Sequence, residues 1–109
     1  MKFDEKTQKK IQELQHYEHT LQNLLMQKQA FQIEMNEAQN ALTEIKDSKD
    51  DIYKMVGQIL VKADKEKVMK DLKQKEDLLK IRIKSLEQQE EHISKELDVL
   101  KEEVMKKIK

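Results

Sequence analysis

Cysteine, proline and tryptophan are absent from this chain, and glycine occurs once in 109 residues. Without cysteine there is no disulfide and no thiolate metal site. Without proline, and with a single glycine, almost nothing interrupts a helix. Aromatic residues make up only 4%, and the apolar fraction of 37% is smaller than the charged fraction of 40%. Ordinary domains run nearer half apolar and a quarter charged. What remains is dominated by Glu, Lys, Gln, Leu and Met, the strong helix formers. This composition specifies long helices or coiled coils. It supplies too little apolar material for a packed sandwich or an α/β enzyme.

Charge of one sign is lacking too. Twenty-two basic and 22 acidic residues cancel. That argues against nucleic acid as the main partner, because phosphate binding needs a one-signed basic face. No apolar run approaches the ~18 residues of a membrane span. Met1-Lys2-Phe3-Asp4-Glu5 is too polar to open a signal peptide. A soluble cytoplasmic protein is the expectation. Every basic residue except Arg82 is lysine, and abundant Lys with Glu is a composition common in thermophile proteins.

Asp4 is placed to cap a first helix. From Leu14 the apolar residues step by three and four: Leu14, Tyr17, Leu21, Leu24, Phe31, Met35, Ala38, Leu42 and Ile45. Lys28 fills the single gap. As heptads, Leu14, Leu21, Lys28, Met35 and Leu42 are a positions, and Tyr17, Leu24, Phe31, Ala38 and Ile45 are d positions. The polar cluster Asp47-Ser48-Lys49-Asp50-Asp51 ends this arm. Asp64 caps a second helix. Its seam runs Met69, Leu72, Leu79, Ile83, Leu86, Ile93, Leu97, Leu100 and Val104, with Glu76 and Glu90 as gaps, both at a. The expected elements are arm 1 over 4–47, a central segment over 52–62 and arm 2 over 65–108. Each arm is about 60–65 Å long at 1.5 Å per residue. The second arm is expected to fold back on the first as an antiparallel coiled coil, since effective concentration favours the intramolecular partner. Lys28 and Glu90 lie at comparable distances from the bend. They either meet and set the register, or each turns out of the seam.

Between the arms, Ile52-Tyr53-Lys54-Met55-Val56-Gly57-Gln58-Ile59-Leu60-Val61-Lys62 is an island of branched and aromatic residues. It reads as strands over 52–56 and 59–62, closed by a Gly57-Gln58 turn with glycine first. The competing reading is a helical turn or loop, which the β-branched and aromatic content opposes. A lone hairpin is marginally stable in water and has open edges. Ile52 and Val56 point to one face, Tyr53 and Met55 to the other, and one narrow coiled coil cannot cover both. The hairpin is therefore expected to pair with hairpins of other subunits in a small barrel. The fold class is mainly α: a long antiparallel two-helix coiled coil with one central β-hairpin.

Tyr53-Lys54-Met55-Val56-Gly57-Gln58-Ile59-Leu60-Val61-Lys62, set between arms of near-equal length, resembles the β-type subunits of the prefoldin family. The likeness extends to Gln27-Lys28-Gln29, to Glu37-Ala38-Gln39-Asn40-Ala41-Leu42 and to Leu86-Glu87-Gln88-Gln89-Glu90. The chain has room for one hairpin, as in the β type, where α-type subunits carry two. It departs from the family pattern in having Lys49, not proline, before Asp50-Asp51. The resemblance implies a heterohexamer of two α-type and four β-type subunits. Their hairpins form a barrel platform, with Ile52, Tyr53, Met55, Val56, Gly57, Ile59, Leu60 and Val61 as the assembly residues. It also implies a chaperone that holds non-native polypeptides at the arm tips. Clients pass to a group II chaperonin without nucleotide, consistent with the lack of a glycine-rich phosphate loop.

A chaperone of that kind must offer apolar surface to its clients. Near the tips, the apolar residues outside the seam are Ile11, Val99, Met105 and Ile108. Phe3 falls at d only if the helix persists that far. Fraying of the last turns is expected to expose these together with Val104. The competing reading makes them ordinary terminal residues. Met26, Ala30 and Ile33 form a second off-seam set in mid-arm, read as tolerated surface or as an extension of the client face. Leu78 and Ile81 are assigned to contacts with the barrel or a neighbouring arm. His16, His19 and His92 sit at c and f positions facing water, so no metal site, cofactor or catalytic group is expected. The alternative function is a structural tether that holds no client, for which the hairpin would have no use.

Overall fold

The computed structural model describes residues 4–108, and for Ile108 the backbone alone. The expectations for the Phe3 and Ile108 side chains lie outside the described residues. The order is α1 (Glu5–Asp47), β1 (Ile52–Val56), β2 (Ile59–Ala63) and α2 (Lys65–Ile108). The helices have 43 and 44 residues.

Each helix begins on an aspartate. The Thr7 amide donates to Asp4 Oδ1 at 2.8 Å, and the Glu66 amide donates to Asp64 Oδ1 at 3.3 Å, so orphan N–H groups are satisfied at both starts. The end of α1 is closed from the other arm. Lys65 Nζ donates to the Ser48 carbonyl at 2.8 Å and to the Lys46 carbonyl at 3.5 Å, placing a cation on the negative end of the helix.

The chain divides into two compact units, one of residues up to Gln29 and from Lys84 onward, the other of Ala30–Ile83. In the first, Leu24, Leu86, Leu97, Leu100 and Val104 are buried, with Thr7. Its arms run antiparallel: Lys10 pairs with Glu103 at 3.1 Å and Lys28 with Glu90 at 3.0 Å. In the second, Ala38, Leu79, Ile83 and Glu76 are buried. The Arg82 guanidinium lies 5.7 Å from the centre of the Phe31 ring, a cation–π contact across the arms. Every expected a and d residue from Leu14 to Ile45, and from Met69 to Val104, is buried or half-buried. That is the burial a sustained heptad pattern dictates.

Three details differ from expectation. The seam starts a heptad earlier than Leu14, at buried Thr7, whose amide the Asp4 cap already occupies. The second strand runs one residue further, to Ala63, because Ile52 needs a partner and finds it there. The last turns of α2 are helical and Val104 is covered in them. The helix runs to Ile108, and Val104 is 8% exposed, closing the seam beside the Lys10–Glu103 bridge.

Candidate functional site

The hairpin register is Ile52 with Ala63, Tyr53 with Lys62, Lys54 with Val61, Met55 with Leu60 and Val56 with Ile59. That leaves Gly57 and Gln58 as a two-residue turn. Gly57 has φ of +63°, and among the described residues no non-glycine residue has positive φ. Positive φ at the first turn residue alone is the II′ pattern, whose twist matches paired strands.

Paired residues in an antiparallel ladder share a face. One face therefore carries Ile52, Val56, Ile59, Val61 and Ala63 with Lys54, and the other carries Tyr53, Met55 and Leu60 with Lys62. Both faces are apolar with one lysine each. Tyr53, Met55, Val56, Ile59, Leu60 and Val61 are between 47% and 67% exposed, while Ile52 and Ala63 at the base are half-buried. Lys62 pairs with Asp51 at 3.4 Å beside the base. The expected assembly residues are thus gathered on one short ribbon and left open on both sides.

The tip residues divide. Val99 and Met105 are 53% and 54% exposed. Ile11 is half-buried, and Val104 belongs to the sealed seam. The open surface among the described tip residues is therefore Val99 and Met105, which face outward from a formed helix. In mid-arm Met26 and Ile33 are exposed, as is Ala30. Leu25, an e position absent from the sequence expectation, is exposed too, and Leu78 and Ile81 stand open on α2. A heptad label would have flagged Leu25, since e flanks the seam without entering it.

The electrostatics of the arms are structural. Glu76 is 7% exposed at an a position. Lys80 Nζ lies 3.1 Å and Lys73 Nζ 3.5 Å from its Oε1. Hydrogen bonding from Lys80 holds the carboxyl below its ordinary value, outweighing the opposing effect of burial. Asp4 is likewise held low, first by the Thr7 hydroxyl and then by its amide. His16, His19 and His92 are exposed. Among the described residues no three His, Asp or Glu side chains are grouped to hold a metal ion, and no helix is long and apolar enough to cross a membrane.

Two helical arms that seal each other, around a hairpin they leave unsealed, define a coiled-coil subunit. Residues 8–109 match the prefoldin subunit family. The prefoldin subunit beta of Pyrococcus furiosus is 39% identical over 94 residues, 84% of this chain and 80% of the relative. That of Thermococcus gammatolerans is 39% identical over 104 residues, 94% of this chain and 89% of the relative. That of Pyrobaculum islandicum is 34% identical over 90 residues, 81% and 72%. The crystal structure of the prefoldin beta subunit from Thermococcus strain KS-1 superposes with a TM-score of 0.86 at 34% identity, covering 96% of this chain and 94% of that one. The chain belongs to the prefoldin family of chaperone subunits, and its likeness is to the β subunits.

Proposed function

We propose that this chain is the β-type building block of a hexameric holdase of the cytoplasm, with two α-type and four β-type subunits joined through their hairpins in a β-barrel. The arm ends hold non-native polypeptides and hand them to a group II chaperonin. The cycle uses no nucleotide or other cofactor, and the chain is not an enzyme. The observation that carries this reading is where the exposed apolar side chains lie. Six of them cover both faces of the hairpin, Val99 and Met105 stand outward near the end of α2, and Leu25, Met26, Ile33, Leu78 and Ile81 are spaced along the arms. A closed sheet would remove the free strand edges and bury both faces at once. Met105 is flexible and polarizable, which suits contact with varied client sequences. Membership of the prefoldin family supports the same reading.

Removal of residues 1–11 and 99–109 tests it. The truncated chain, mixed with an α-type subunit, should assemble normally by gel filtration with light scattering. It should fail to suppress aggregation of a chemically unfolded client. Undiminished protection would place the client surface elsewhere.

A further inference from the structure

We propose that the end of α2 selects polypeptide segments in which apolar side chains are flanked by acidic ones. This rests on the holdase reading and specifies the chemistry of its client. Met105 shares a shallow depression of about 300 Å³ with Lys101, Glu102 and Lys106. Lys101 lies one helical turn before Met105 and Lys106 follows it, so a side chain resting on Met105 meets an ammonium group on either side. Their methylene stems also extend the apolar floor.

The charge at this end of the arms is unevenly committed. Glu103 is held by Lys10 at 3.1 Å, and the Asp4 carboxylate accepts the Thr7 amide at 2.8 Å. Lys107 and Lys6 both lie close enough to Asp4 to favour its ionised form, which sets the end of α2 beside the start of α1. Lys6, Lys9, Lys101, Lys106 and Lys107 are exposed, and none has a carboxylate within 4.0 Å among the described residues. Asp4, Glu5, Asp98 and Glu102 oppose them, and residues 4–10 and 98–107 together carry six lysines against five carboxylates. The surplus is one positive charge, concentrated at Met105 by the lysines on either side of it, on a chain of zero net charge. An apolar segment bearing Asp or Glu gains from both terms, and one bearing Lys or Arg gains from burial alone.

Three fluorescent peptides with one apolar core, flanked by Glu, Gln or Lys, would be titrated by anisotropy into the full chain assembled with an α-type subunit. At low salt the Glu-flanked peptide should bind about fivefold more tightly than the Lys-flanked one, since exposed charge pairs are individually weak. The ratio should fall towards one near 1 M salt, where the Debye length is about 3 Å. Lys101→Gln with Lys106→Gln should reduce the ratio while the helical circular dichroism is unchanged. Lys101→Glu with Lys106→Glu should reverse the preference. Equal affinity for all three peptides, or a ratio indifferent to these substitutions, overturns the charge selection and leaves the holdase reading standing. Absence of binding by any peptide overturns both.

Discussion

Lys28 Nζ donates to Glu90 Oε2 at 3.0 Å, joining the single polar gap in one seam to one of the two gaps in the other. Both side chains are largely shielded from water. A one-heptad slip of either arm would set each charge against an apolar residue. The pair therefore acts on register more than on total stability, the best-attested role of polar seam residues.

A double-mutant cycle would measure that role. Lys28→Met and Glu90→Leu should each cost about 1 kcal/mol, and the double substitution should come out near neutral, because neither charge is then left unpaired. The expected coupling is therefore about 2 kcal/mol in magnitude by urea denaturation. A coupling indistinguishable from zero would reduce the pair to a surface contact.

The hairpin makes a sharper demand. Val56 and Ile59 are directly paired on one face, and both are exposed. Val56→Asp with Ile59→Asp should abolish higher assembly while the far-ultraviolet helical signal persists, because the arms bury their seams without the hairpin. An unchanged mass by light scattering would refute the barrel.

Gly57 can be tested apart from packing. A Cβ built there meets nothing within 4 Å, so the φ of +63° is the only obstacle to a side chain. Gly57→Ala should weaken the turn by about 1–2 kcal/mol, the cost of positive φ for a residue with a Cβ, while Gly57→Asn should cost less because asparagine is commoner than alanine at such turn positions. The readout is the concentration at which the assembly dissociates. Equal effects of Ala and Asn would point to a turn that rearranges.

Periodicity carried most of this fold. A 3.5-residue repeat without proline leaves few alternatives to paired arms, and the lone glycine in a β-branched island locates the turn. Polar members of the seam are harder to see. Thr7 is buried, yet a hydroxyl residue gives no apolar signal. Glu76 reads as a gap in the apolar series, yet Lys73 and Lys80 at i−3 and i+4 neutralise it from its own helix. Val104 sits where a helix end is expected to fray. The cross-arm bridge beside it, Lys10 with Glu103, depends on the pairing of distant residues and is invisible to a local pattern.

Within the first unit, buried and exposed apolar residues should respond differently to truncation. Leu86→Ala should cost about 2–5 kcal/mol, because it removes transfer energy and leaves a cavity in the seam. Met26→Ala, on an exposed face, should stay within about 0.5 kcal/mol. Thermal unfolding compares them. A large loss at Met26 would reveal a contact made only in the assembly.

Acid should loosen the arms through Glu76 in particular. Its carboxyl is held below the ordinary value of 4.5, first by Lys80 and further by Lys73. Between that folded value and 4.5 the unfolded chain binds more protons than the folded one. The contribution of the ionised group is therefore complete above about pH 4.5 and is lost as pH falls through the lower folded value. Other carboxylates titrate in the same range, so the useful quantity is a difference. The gap in melting temperature between the wild type and Glu76→Gln should be constant from neutral pH down to about 5 and then narrow. Lys80→Gln removes the largest cause of the depression and should shrink that narrowing, because the folded value then approaches the unfolded one. A gap that stayed constant down to pH 3 would mean that Glu76 titrates alike in both states, and that the two lysines only cover it.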